Sequence, residues 1–102
     1  MSRTYRLAPS ASRDINAIFD YLLSTDGIDA AMHIYSGLER AFEKLGRMPG
    51  IGHRREQFTS SNLLFFNVWS YYVVYKPDSS PLEIVRIIHS ARDIPTAMDE
   101  IT

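Results

Sequence analysis

The stretch from Asn62 to Asp93 constrains this chain most. Asn62–Trp69 and Ser70–Lys76 are rich in β-branched and aromatic residues, and Leu82–His89 is a third such run ending in His89-Ser90-Ala91-Arg92-Asp93. Apolar segments of this length, separated by turn residues, predict an antiparallel meander. Lys76-Pro77-Asp78-Ser79-Ser80-Pro81 is a turn by composition, so the last two strands form a hairpin. Both faces of Leu63–Val68 and Tyr71–Tyr75 carry large apolar side chains, so the sheet requires a cover.

The preceding residues supply one. Thr4–Leu7 is a short extended segment stopped by Ala8-Pro9, and proline suits the first turn of a helix. From Ser10 to about Thr25, Ala11, Ile15, Ile18, Phe19, Leu22 and Leu23 fall on one helical stripe. Asp26-Gly27 ends it, with Gly27 as a left-handed terminator. A second helix is predicted from about Asp29 to Arg47, with the ladder Ala31, Tyr35, Leu38, Phe42 and Leu45. Met48-Pro49-Gly50-Ile51-Gly52 forbids its continuation. The short link favours an antiparallel helix hairpin. Ile94 to Thr102 adds at most a helical turn. The predicted fold class is α+β: an N-terminal strand and a two-helix antiparallel hairpin packed on a mainly antiparallel four-stranded sheet, one domain over residues 1–102.

Composition narrows the function classes. A hydrophobic content of 45%, a charged content of 23% and a net charge of −1 describe an ordinary soluble domain and argue against a general nucleic-acid binder. The absence of cysteine excludes disulfides and thiolate metal sites and fits a reducing compartment. No apolar run approaches a membrane span and the first residues carry no signal-peptide core, so a cytoplasmic setting is expected. The histidines, His33, His53 and His89, lack metal-ligand spacing, and neither a metal nor another cofactor is expected. Arg40, Lys44, Arg47, Arg54 and Arg55 form a basic band that is either an anion-attracting surface or a solvated helix face with Glu43 and Arg47 paired.

The order strand, helix, helix, strand, strand, strand resembles the RelE/ParE toxin superfamily. The details that bring it nearer the ParE branch, of the plasmid-stabilisation type, run along nearly the whole chain. They are Leu7-Ala8-Pro9, Asp14-Ile15, Ile18 and Tyr21, then Ala31, Leu45, Pro49-Gly50-Ile51-Gly52, Arg55, Tyr71 and Tyr75, and finally Ile84-Val85-Arg86-Ile87-Ile88-His89 with Arg92-Asp93. The resemblance implies the toxin of a toxin–antitoxin pair. ParE-like relatives act by binding DNA gyrase and are neutralised by a ParD-like antitoxin, whereas RelE-like relatives cut messenger RNA on the ribosome. The shared fold does not choose between them.

Site chemistry offers a criterion. Cleavage of RNA requires a base, an acid and cations about the scissile phosphate. The nuclease reading would draw these from Arg55, Arg86, His89 and Arg92. Leu64 stands where the superfamily often has an arginine, and Leu63 to Tyr75 contains no basic residue, which favours a binding toxin over a nuclease. For target binding the candidates are Arg86, His89, Arg92 and Trp69, with Arg86 and Arg92 at a polar rim of the sheet. Structural roles stand beside these: Arg86 paired with Glu83, Arg92 with Asp93, His89 donating a hydrogen bond to a backbone carbonyl or to Asp93, and Trp69 packed over the sheet edge. A third reading is a decayed toxin that only binds its antitoxin.

Overall fold

A computed structural model describes residues 4–99. The element order is β1 (Tyr5–Leu7), α1 (Pro9–Thr25), α2 (Ile28–Arg47), a 3₁₀ turn (Pro49–Ile51), β2 (Leu64–Val68), β3 (Tyr71–Lys76), β4 (Leu82–His89) and α3 (Ile94–Asp99). The four strands lie in the order β1-β4-β3-β2, with β1 parallel to β4 and the other pairs antiparallel. The predicted α+β architecture is therefore present: the helix hairpin carries the chain from β1 to the far edge at β2, and the meander returns β4 to lie parallel beside β1.

Pro9 occupies the start of α1 after an extended Ala8, as its fixed φ and missing N–H favour. The helix ends when the N–H groups of Asp26 and Gly27 both bond to the Leu22 carbonyl. Gly27 has φ 95° and ψ 174°, a conformation open to glycine but distinct from the left-handed helical terminator expected. The turn hands the chain directly to α2, where Ala31, Leu38, Phe42 and Leu45 are buried. Leu38, Phe42 and Leu45, with Ile15, Val73, Tyr75, Ile84 and Ile87, form the core between the hairpin and one sheet face.

A second core lies on the opposite face. Leu63, Phe65, Val74, Val85, Ile88, Ile94, Ala97 and Met98 are buried together, with Phe58 and Tyr72 packed at their edge. The expected cover by the hairpin accounts for one face only; the loop 52–63 and α3 close the other. A register shift between Val74 and Tyr75 pairs them with Arg86 and Ile84, skipping Val85. Across that bulge β4 changes phase, so Ile84 and Ile87 serve the hairpin core while Val85 and Ile88 serve the second.

β1 covers only Leu82–Ile84 of β4, and α1 seals the remainder of that edge. The Ala8 N–H bonds to the Ile84 carbonyl at 2.9 Å, Ser10 Oγ donates to the Val85 carbonyl at 2.6 Å, and Asp14 Oδ2 accepts the Ile87 N–H at 2.9 Å. Side chains of a helix thus continue a ladder that the short strand leaves unfinished. On the far side of the sheet, His53 makes an antiparallel bridge to Phe65 through both backbone groups.

Candidate functional site

The sheet end where β2 turns into β3 and β4 terminates gathers several of the expected residues. The β2–β3 connection is a two-residue turn, and Trp69 occupies its first position with φ 52°. A bulky residue there is strained, because the turn favours glycine, and such strain typically amounts to about 1–3 kcal/mol. Contacts to α2 hold the indole. A β-carbon built on Gly37 would fall 2.3 Å from the ring, and the His33 ring lies 5.0 Å away, centroid to centroid. Gly37 is therefore the seat that lets Trp69 lie against the helix, while the ring stays 53% exposed. The turn location of Trp69 was legible in the sequence. Its seat was not, since nothing in the spacing of a helical glycine points to a partner outside the helix.

His89 is the next element of this rim. Across the β3–β4 ladder it faces Tyr71, edge-on at 5.3 Å. Its Nδ1 accepts the Ala91 N–H at 3.0 Å; the bond is local, but its direction and partner differ from the expected donation to a carbonyl or to Asp93. Burial raises the Tyr71 hydroxyl above its ordinary value, and the neighbouring Tyr21 and Asp26 push in the same direction. Tyr21 is 66% exposed, so α1 adds an aromatic side chain to the rim. Arg92 follows in the turn after β4; its N–H bonds to the His89 carbonyl and its side chain is exposed. It does not pair with Asp93, whose carboxylate instead accepts both the N–H and the hydroxyl of Thr96 at the start of α3.

Arg86 overturns its expectation. It is 5% exposed and does not reach the rim. Its Nε donates to Asp14 Oδ2 at 2.7 Å and its Nη2 to Asp14 Oδ1 at 3.1 Å, while Nη1 donates to the Ala97 carbonyl at 3.0 Å. The forked guanidinium matches the carboxylate and ties α1 to α3 through β4. Glu83, the partner expected for it from sequence, pairs with Arg6 and Lys76. The β-bulge turns Arg86 inward, and a bulge is not visible in residue types alone.

Arg55 is placed elsewhere again. Its guanidinium sits 6.0 Å from the Tyr72 ring centre, beside the second core, whereas His89 meets Tyr71 of the hairpin core. Adjacent residues of one strand face opposite sides of a sheet. The nuclease set is thus divided: Arg55 lies on one face, His89 on the other, and Arg86 is buried in an ion pair, so that only Arg92 stays beside His89 at the rim. In the basic band, Lys44 lies over the Phe66 ring at 5.8 Å, and among the described residues no ion pair joins Glu43 to Arg47.

A second feature lies on the outside of the hairpin. Asn16, Phe19, Met32 and Tyr35 line a shallow groove of about 210 Å³ between α1 and α2, with Phe19 and Tyr35 edge-on at 5.9 Å. Leu23 and Ile28 are exposed on the same two helices. Among the described residues no helix is long and apolar enough to cross a membrane.

The arrangement recurs in known proteins. A solved chain from the chromosomal ParDE toxin–antitoxin system of P. aeruginosa superposes with a TM-score of 0.70 at 16% identity, covering 85% of this chain and 95% of that one; at such identity the likeness concerns the fold. No curated protein is significantly similar in sequence. The family model described as ParE toxin of type II toxin–antitoxin system, parDE, matches residues 5–94. That span runs from β1 to the start of α3 and takes in the hairpin groove, the Asp14–Arg86 tie and the whole Trp69–His89–Arg92 rim, and by it the chain belongs to the ParE toxin family.

Proposed function

We propose that this chain is a toxin that acts by binding DNA gyrase, without catalysis of its own, and that a ParD-like antitoxin neutralises it in the cytoplasm. One observation carries the choice against RNA cleavage: the cations and the histidine that a nuclease would converge on one phosphate are divided between two faces of the sheet, and Arg86 is used structurally. The rim that is left is a contact surface, namely a half-exposed indole on a strained turn, the His89–Tyr71 pair and an exposed arginine. Exposed Trp and Arg are the residue types that most often anchor protein interfaces.

The antitoxin reading rests on the outer groove. An amphipathic helix laid along Phe19, Met32 and Tyr35 would bury apolar surface that is otherwise in water, and a strand added beside the short β1 would use an open edge. Expression without the partner should be toxic or poorly soluble, and co-expression with it should rescue both.

Supercoiling by purified gyrase, assayed with added protein, tests the target. Inhibition is expected. Arg92→Ala should weaken it while leaving the fold and antitoxin affinity nearly intact, and His89→Gln should be largely tolerated. Unchanged supercoiling together with ribosome-dependent transcript cutting would replace this reading with the nuclease one.

A further inference from the structure

The loop 52–63 contains a cavity of about 350 Å³ lined by Arg54, Arg55, Glu56, Thr59, Ser60 and Ser61. Its most telling atom is Arg55 Nε. Among the described residues it is the one buried side-chain nitrogen or oxygen with no hydrogen-bond partner in the protein. A charged donor withdrawn from water without an acceptor is costly, and an anion seated on the remaining N–H groups of this guanidinium would offset that cost. The Tyr72 ring centre lies 6.0 Å from the guanidinium carbon.

The surrounding donors are held in place. Arg54 donates to Asn62 Oδ1, and Asn62 in turn donates to Asp78 at 3.0 Å. The N–H groups of Phe58 and Thr59 bond to the Arg55 carbonyl at 2.8 and 3.1 Å, folding the loop back over itself. Thr59 Oγ1 accepts the Ser61 N–H at 3.2 Å, which leaves its own hydrogen available to donate. The residues that carry two guanidinium groups and three hydroxyls, Arg54, Arg55, Thr59, Ser60 and Ser61, thus line one space. A carboxylate presents two oxygens, fewer than this donor set can use, whereas a phosphoryl group presents at least three strong acceptors.

We propose that this cavity binds a phosphoryl group, as inorganic phosphate or a phosphate monoester, with Arg55 and Arg54 supplying charge and the three hydroxyls completing the shell. Glu56 is the acid in its wall and opposes the anion. The cavity lies beside the second core, on the face of the sheet opposite His89 and Tyr71, so it is independent of that reading.

The test is an amide NMR titration of the purified chain at constant ionic strength with inorganic phosphate, AMP and acetate. Phosphate should give saturable shifts confined to residues 54–63, and acetate should not. Arg55→Gln should weaken binding about tenfold or more, the scale of one charge-assisted bidentate contact. Glu56→Gln should tighten it about threefold by removing a like charge. Because Arg55→Gln also alters packing on Tyr72, the gain in Glu56→Gln is the decisive arm. Tighter binding of AMP than of phosphate assigns the site to monoesters, and the reverse assigns it to the free ion. Absence of saturation, equal response to acetate, or unchanged affinity in Glu56→Gln would overturn the proposal.

Discussion

The two faces of the sheet are closed by different means. On one, α1 and α2 bring long apolar stripes whose Leu38, Phe42 and Leu45 are fully buried. On the other, a six-residue helix and an irregular loop do the work with Phe58, Leu63, Ile94, Ala97 and Met98. The first face is secured by periodic burial, at about 1.5–3 kcal/mol for each large side chain. The second has too little of it, and a polar anchor substitutes: Arg86 reaches the Ala97 carbonyl of α3 while Asp14 holds the other side of its fork. Among the described residues, the thin face is therefore tied to the thick one through the Asp14–Arg86 ion pair.

Removing that pair from one side is the strongest way to break the comparison. Asp14→Ala would leave a buried guanidinium without its carboxylate and the Ile87 N–H without an acceptor. A loss of about 3–5 kcal/mol in urea unfolding is expected. Amide exchange should locate the early opening on the second face, at Val85, Ile88 and α3, before the hairpin. Replacing both partners, Asp14→Leu with Arg86→Met, should recover much of the loss, because no unpaired charge remains. Stability within about 1 kcal/mol of wild type in Asp14→Ala would mean that the second face holds itself.

The same contrast explains what was legible in the sequence. The hairpin face was readable because Ala31, Leu38, Phe42 and Leu45 repeat at helical spacing, and the strands because their apolar runs end in turn residues. The second face has no period: Phe58 lies in a loop, and α3 is too short to show a stripe. Asp14 and Arg86 were both conspicuous as single residues, yet their pairing spans 72 positions and depends on a bulge. The rim was legible in part for the same reason. Trp69, His89 and Arg92 flank turns and stay at the sheet end, whereas Arg86 sits one phase change inside it.

A smaller effect is expected where the thick face meets the loop. The Tyr75 hydroxyl donates to the Pro49 carbonyl at 2.7 Å and accepts the Gly52 N–H at 2.9 Å, fastening the turn after α2 to the sheet. Tyr75→Phe keeps the ring and leaves two backbone groups short of a partner, for a loss of about 1–3 kcal/mol. The contact also has an alkaline limit. Burial raises the hydroxyl above its ordinary 10.0, partly offset by the Gly52 N–H. A group whose folded value is raised contributes stability fully below the unfolded value and loses it as pH rises through the folded one. Stability should accordingly fall above about pH 10, and less steeply in Tyr75→Phe, where Tyr71 alone of the two remains. Equal slopes would place the titration elsewhere.

The smallest effect tests the parallel edge of the sheet, away from both cores. Glu83 receives Lys76 Nζ at 3.0 Å and Arg6 Nη2 at 2.5 Å, so it links β3, β4 and β1 across their ends. The bond from Lys76 is the main reason that its carboxyl titrates below the ordinary 4.5, with Arg6 adding to it against the opposing effect of burial. Because the folded value is the lower one, the unfolded chain takes up the proton first as pH falls. The contribution of Glu83 is thus complete at neutral pH, begins to decline near pH 4.5 and vanishes below the folded value. Arg6 and Lys76 are mostly exposed, with side-chain accessibilities of 65% and 54%, which keeps the total near about 1 kcal/mol and makes it sensitive to salt. Glu83→Gln should lose that amount at pH 7, lose less at high ionic strength, and match wild type in strong acid. A difference that persists unchanged at low pH would show that the side chain acts by packing, and not by charge.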